Sequence, residues 1–296
     1  MASAARPGRL LLSAPALAVI VAFMLLPLLL MAYISVLEKG SAGGVRWGAH
    51  TLEPYIAFLF ERDLADNLVL NTDYLRIFLR SFWLAGLTTL LTLLIGFPTA
   101  LGMALAAPRW RTFLIFLVTV PFWANLLVRN YAWIILLRNN GLIDQARHAL
   151  GLGTGPLDIL YTPTAVLIGL VYSYLPFMVL PIFASLEKID WRLVEAAFDL
   201  GARRAQALRR VVVPLAMPGI VAGCILVFIP GLGAFITPEL LGGGKALMIG
   251  NLIQSQFGAA RNWPFGAALA FALLALVLVA MLAYLLRYRA PPGTER

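Results

Sequence analysis

The chain has 296 residues, of which 61% are hydrophobic and only 12% charged, with a mean hydropathy of +0.88. A soluble domain carries roughly 25% charged residues, so there is too little polar surface here to coat a soluble fold of one domain or two. The formal charge of +9 would suit a nucleic-acid binder, and the placement of the basic residues has to decide that. A single cysteine, Cys224, excludes an intramolecular disulfide framework, and two histidines, His50 and His148, leave almost nothing for a His/Cys metal site.

A bilayer core of about 30 Å needs about 20 apolar residues in helix. Six runs qualify, in chain order Leu10 to Leu37, Ser81 to Ala106, Thr112 to Leu137, Pro163 to Leu186, Pro218 to Ile236 and Pro264 to Leu286. The first follows Arg6 and Arg9 but is about twice the length of a signal-peptide apolar region, so it reads as a retained span. The expected fold is therefore an all-α integral membrane protein with six transmembrane helices over residues 10–290, a short N-terminus (1–9) and a tail (291–296).

Six spans put both termini on one side, and the Lys/Arg bias identifies it as the cytoplasm. Thirteen basic residues fall there: Arg6, Arg9, Arg109, Arg111, Lys188, Arg192, Arg203, Arg204, Arg209, Arg210, Arg287, Arg289 and Arg296. Nine lie opposite (Lys39, Arg46, Arg62, Arg76, Arg80, Arg138, Arg147, Lys245 and Arg261), balanced by nine carboxylates that include Asp63, Asp66, Asp144 and Glu239. The inner side nets +8, the outer side zero, and Arg129 within span 3 completes the +9. The basic excess is sidedness, and no nucleic-acid partner is expected. Long outer loops run from Glu38 to Arg80, Arg138 to Thr162 and Thr237 to Trp263; the single large inner loop is Glu187 to Met217.

That inner loop reads EKIDWRLVEAAFDLGARRAQALRRVVVPLAM. Asp190 suits an N-cap, Leu193, Ala196, Ala197 and Leu200 recur at helical spacing, and Gly201 suits the left-handed position past a helix end. A second helical pattern, Ala205, Leu208, Val211 and Val212, is expected to stop at Pro214, with Pro218 in the first turn of span 5. By residues alone this is either a docking element or an amphipathic hairpin that holds two spans apart.

The string resembles the EAA motif of ABC-importer permease subunits: Glu195, Ala196 and Ala197, three residues, Gly201, nine residues, then Val211, Val213 and Pro214, with valines where the pattern has Ile and Leu. The likeness extends from about Pro121 to Pro264 and is greatest to permeases of spermidine/putrescine importers, in PFWANLLVRNYAWIILLRNNG, VYSYLPFMVLPIFASLEKID, FIPGLGAFITPELLGG and MIGNLIQSQFGAARNWPFGAALA. The resemblance implies a permease subunit in the bacterial inner membrane whose 187–217 loop carries a coupling helix between spans 4 and 5. Glu195, Ala196, Ala197, Asp199, Gly201 and Pro214 would couple it to two ATPase subunits. ATP and Mg would sit in those subunits and no cofactor in this chain. It also implies a second homologous permease subunit, a solute-binding protein that delivers a small organic cation, with a polyamine first and other small solutes as alternatives, and surrounding membrane lipid.

A polycation route wants carboxylates and aromatic faces. Glu239 is the acidic candidate, with an ordinary helix-end carboxylate as its alternative. Trp123, Tyr131, Tyr172, Tyr174, Phe177, Phe228 and Phe235 are the aromatic candidates, which interfacial anchoring would explain equally. Arg129, roughly 26 Å along a straight helix from Thr112 at ~1.5 Å per residue, is expected near the outer interface, either snorkelling to it or paired with an outer carboxylate such as Glu239. Gly219 and Gly223 form a GxxxG pattern that implies close helix packing. GGGKA at Gly242 lacks the spacing of a phosphate loop. An intramembrane enzyme is disfavoured because no span holds a His and neither Ser173 nor Ser185 has an identifiable base. An energy-independent channel or a membrane anchor differs from the importer in needing no ATPase.

Overall fold

The computed structural model describes residues 7–62, 67–152 and 155–287. Arg6, Asp63, Asp66, Arg289, Arg296 and the tail 291–296 lie outside these. The chain divides into two compact units, one of residues 76–251 and one formed by the segments on either side of it.

In the flanking unit, helix α1 (Pro7–Ile34) ends before Leu37, where the first span was expected to end. Leu37 instead opens strand β1 (Leu37–Lys39), paired antiparallel with β2 (Val45–His50). Glu38 and Arg46 stand opposite each other in this ribbon and form an ion pair at 3.2 Å, and Tyr33 stacks on Trp47. A one-turn helix α2 (Glu53–Ile56) leads to a second ribbon, β3 (Phe60–Arg62) with β4 (Leu68–Leu70). The all-helical expectation is corrected here: short alternating segments, Val-Arg-Trp after Gly43 and Gly44 and Phe-Glu-Arg, favour pleated ribbons over helix in a loop too polar to span. The C-terminal helix α13 (Trp263–Arg287) packs on α1 and α2, and the Gly44 amide donates to the Arg261 carbonyl at 2.7 Å.

The central unit begins within helix α3 (Asp73–Leu105), which starts eight residues before the expected span because Asn71 caps its first turn through a bond from the Asp73 amide. Its hydroxyls turn back onto their own helix: Ser81 donates to Ile77, Thr89 to Ala85 and Thr92 to Thr88. An apolar helix can thus carry these three without an unsatisfied donor, whereas the buried Thr88 hydroxyl has no partner among the described residues. Arg111 closes the far end, donating to the Ala104 and Ala106 carbonyls at 2.9 and 3.0 Å, and lies 3.8 Å from Glu187.

The third expected span, Thr112 to Leu137, is not one helix. Helix α4 (Pro108–Trp123) stops at Ala124, which is extended, and α5 (Leu126–Leu137) restarts from Asn125, whose side chain accepts from the Leu127 amide at 2.8 Å. The stretches on either side meet at 89°. The cause is local: an asparagine that caps offers the backbone a non-helical alternative, and Pro121 has already removed one helical donor.

Helix α6 (Leu142–Ala149) is short; α7 (Pro163–Leu186) begins with Thr162 capping the Ala165 amide. After α8 (Arg192–Asp199), the chain re-enters helix at α9 (Arg204–Ala207) and stays helical to Leu232, through a π turn (Leu208–Val212) into α10 (Val213–Leu232). Pro214 therefore does not end a helix, and Pro218 lies inside α10. In the widened turn the Val213 amide reaches back five residues to Leu208, so the ladder is already out of its four-residue register where the proline N–H is missing. Ile236, expected to close span 5, opens the next helix, α11 (Ile236–Gly242), followed by α12 (Ile249–Phe257).

Among the described residues four helices are long and apolar enough to cross a membrane, five if the bent pair counts as one crossing. Two clusters form the central core. One gathers Ala100, Met103, Met178, Ile182, Leu186, Val212 and Ala216; the other joins Leu84, Leu137, Val166, Leu170, Leu241 and Met248. The α7–α10 contact depends on the GxxxG pair. A Cβ at Gly219 would come within 2.8 Å of Ser185 Cβ and closer still to the Pro181 carbonyl, and one at Gly223 within 3.2 Å of the Met178 carbonyl. Gly219→Val should destabilise the solubilised protein by about 1–3 kcal/mol in thermal unfolding. Gly102→Val, where a Cβ meets nothing within 4 Å, serves as the control, and equal melting of the two would refute a tight contact.

Candidate functional site

The 187–217 segment follows directly from α7. The Asp190 carboxylate accepts from the Arg192 amide at 3.1 Å and starts α8. The helix ends in a Schellman arrangement: the Gly201 amide donates to Phe198 and the Ala202 amide to Ala197, with Gly201 at φ +82. Only glycine takes this conformation at no steric cost. Trp191 and Val194 pack on the core, which turns the opposite face outward. Leu193 is 50% and Leu200 90% exposed; Glu195, Ala196 and Asp199 are exposed with them and Ala197 is half-buried. The result is an apolar ridge with two carboxylates beside it, left exposed by the described residues. Pro214 stands apart from that ridge, inside the continuous helix that leads from it.

A second feature lies at the break between α4 and α5. A cavity of about 320 Å³ is lined by Phe122, Leu126, Arg129, Ser173, Tyr174, Phe177, Pro230, Phe235 and Thr237, together with the Gly233–Ile236 backbone. Tyr174 donates to the Pro230 carbonyl at 3.1 Å, and Phe177 meets Phe122 edge-on with centroids 5.2 Å apart. The far wall is pinned by Asn251, which is 5% exposed, donates to the Phe235 carbonyl at 2.8 Å and accepts from the Met248 amide.

Of the pathway residues read from sequence, the structure brings Tyr174, Phe177 and Phe235 to this cavity. It places the others elsewhere. Trp123 is 83% exposed at the helix break, Tyr131 is exposed on α5, Tyr172 packs on Trp133, and Phe228 packs on Phe82. Glu239 is exposed on α11 and does not line the cavity. Arg129 is not paired with it, which removes the pairing alternative: the 89° break takes Arg129 off the straight-helix path from which its position was counted. Phe122, Ser173 and Thr237 were missed because no spacing rule joins residues on three separate helices around a break.

In the Arg138–Thr162 segment, Asp144 is 1% exposed. The Asn140 amide, at a left-handed φ of 59°, donates to it at 3.0 Å, and Arg147 and His148 approach its other oxygen at 2.8 and 3.4 Å. The Asn140 amide holds the carboxyl below its ordinary 3.8; burial opposes this, and Arg147 and His148 add to it.

The chain matches the family described as "Binding-protein-dependent transport system inner membrane component" over residues 103–291. It is 41% identical over 268 residues to the spermidine/putrescine transport system permease protein PotB of Haemophilus influenzae, covering 90% of this chain and 88% of that one. Among solved structures it resembles a bacterial ABC transporter involved in the import of the acidic polysaccharide alginate, with a TM-score of 0.67 and 18% identity over 95% of this chain and 96% of the other. It also resembles a bacterial alginate ABC transporter in complex with a pentasaccharide-bound periplasmic protein, with a TM-score of 0.56 and 20% identity over 73% of this chain and 78% of the other.

A carboxyl whose folded pKa is depressed stabilises the fold above its unfolded pKa and loses that contribution as pH falls through the folded value. Amide protection in α6, taken relative to the intrinsic exchange rate at each pH, should fall as pH drops below 3.8. In Asp144→Asn the protection should be lower at pH 7 and indifferent to acid. Acid-indifferent protection in the unmodified protein would contradict the cluster.

Proposed function

Because this chain belongs to the family of binding-protein-dependent transport system inner membrane components, we propose that it is one of two homologous permease subunits of an ATP-driven importer for a polyamine, spermidine or putrescine. The substrate reading is carried by the 41% identity over 90% of the chain to a relative named for spermidine/putrescine transport. Six crossings are the topology that places both termini and the 187–217 segment in the cytoplasm and the net charge of +8 on that side. The broken α4–α5 stretch is the third crossing and α1 the first. The ribbons of the first loop face outward and help receive the soluble binding protein.

Energy enters through α8. Its exposed ridge, Leu193, Ala196 and Leu200, offers apolar area to the cleft of an ATPase subunit, and Ala196 and Ala197 let backbones approach closely. Glu195 and Asp199 meet that subunit's basic groups. Gly201 sets the turn, and the segment beyond it runs without interruption through Pro214 into α10, so a push on α8 is delivered to a spanning helix as a rigid-body motion. ATP and Mg are bound by the ATPase subunits. Substrate passes along the wall formed by Tyr174, Phe177 and Phe235, whose ring faces suit ammonium groups. Glu239 meets the cation before the membrane, and Trp123, Tyr131, Tyr172 and Phe228 anchor the fold.

Uptake of labelled spermidine and putrescine by vesicles holding the complete importer, against amino acids as competitors, tests the substrate. Polyamine uptake is expected, and its absence beside amino-acid uptake would overturn the reading. Gly201→Val forces a side chain into φ +82 at about 1–2 kcal/mol, and Glu195→Lys reverses a charge on the ridge. Both should abolish uptake and binding-protein-stimulated ATP hydrolysis while the protein stays in the membrane; normal transport by both variants would refute coupling through α8.

A further inference from the structure

The cavity at the α4–α5 break has a charge without a counter-charge. Arg129 is half-buried, its Nε is buried with no hydrogen-bond partner, and among the described residues no carboxylate lies within 4.0 Å of it. Around it are the rings of Tyr174, Phe177 and Phe235 and the hydroxyls of Ser173 and Thr237. Leaving a guanidinium uncompensated in such a low-dielectric setting is costly. The same setting strengthens any ion pair formed there.

We infer that this cavity seats a carboxylate side chain of the second permease subunit, joined to Arg129 by an intersubunit ion pair. The inference rests on the two-subunit reading above. Three observations select this occupant. Among the described residues no acid lines the cavity, so the counter-charge is sought outside them. The volume of about 320 Å³ with aromatic walls matches an acid carried on an apolar stem better than a hydrated inorganic anion. The guanidinium presents a planar fork suited to a carboxylate. A polycation route needs acids, and if this half supplies none at the cavity, the other half does.

The test uses the complete importer in proteoliposomes, reading binding-protein-stimulated ATP hydrolysis and co-purification of the two permease subunits. Arg129→Glu should lower stimulated hydrolysis at least about tenfold, as for losing one partner of a buried pair, while Arg129→Lys, which keeps the charge, should lose less. In the Arg129→Glu background, each membrane-embedded Asp or Glu of the second subunit is then changed to Lys, and one such swap is expected to restore hydrolysis and co-purification. The inference is overturned if no swap restores them or if Arg129→Glu behaves as the unmodified protein. It is also overturned if chloride or phosphate activates the unmodified importer but not Arg129→Gln, since a small anion would then be the occupant. The readout is ATP hydrolysis, so a restoring swap in a complex that imports no polyamine would overturn the substrate reading alone.

Discussion

Helices α7 and α10 touch backbone to backbone along Gly219 and Gly223, where any side chain would collide with Pro181, Ser185 or Met178. In a bilayer no hydrophobic effect drives two apolar helices together, so dispersion at close range has to. Glycine permits that range at the cost of helix propensity, about 1 kcal/mol each in an exposed helix. The two ends of this contact carry the two features of functional interest. At one end the chain leaves α7 at Leu186, forms α8 and re-enters α10; at the other, Tyr174 of α7 donates to Pro230 of α10 and both line the cavity. A pair so closely packed moves as one body, because interdigitated cores switch between arrangements and do not deform continuously.

The π turn at Leu208–Val212 gives this arrangement a second consequence. Pro214 invites a break, and a break would leave α8 on a flexible tether. The wider turn takes up the missing donor and keeps the helix whole from Arg204 to Leu232. The turn is made instead at Gly201, a left-handed residue with no neighbour within 4 Å of its Cβ position. Conformation, and not space, therefore restricts that site, and even alanine there would be strained.

Periodicity and composition reached α7 and α13 nearly to the residue, because each is a single apolar run bounded by a proline and a polar turn. They failed where backbone chemistry overrode hydropathy. The run from Thr112 to Leu137 is apolar throughout, yet Asn125 can cap a helix as readily as sit inside one, and hydropathy does not register the difference. The ribbons around Val45–His50 and Leu68–Leu70 were invisible for the opposite reason, since strands of three to six residues carry too little alternation to stand out. In the coupling segment, fixed spacing and one obligatory glycine made the motif legible, and the exposure of Leu193 and Leu200 adds that its apolar face points away from the core. The cavity was only partly legible. Tyr174, Phe177 and Phe235 stood out as aromatics, but nothing in the linear order joins them to Phe122, Ser173 or Thr237.

The charge distribution links these features. Sorting the charged residues by loop turns the net +9 into a sidedness signal and leaves one basic residue, Arg129, inside an apolar run. On a straight helix that residue would sit at an interface where water could solvate it. The break at Ala124–Asn125 draws it into a cavity walled by rings instead, with its Nε sealed from solvent. If the cavity lies on the proposed cation route, a half-buried cation there would oppose transport unless something neutralises it, and among the described residues no acid lines that place. A half-transporter can leave such a charge unpaired in its own fold when the assembly supplies the partner, and the association of the two halves then gains the energy that the isolated chain forgoes.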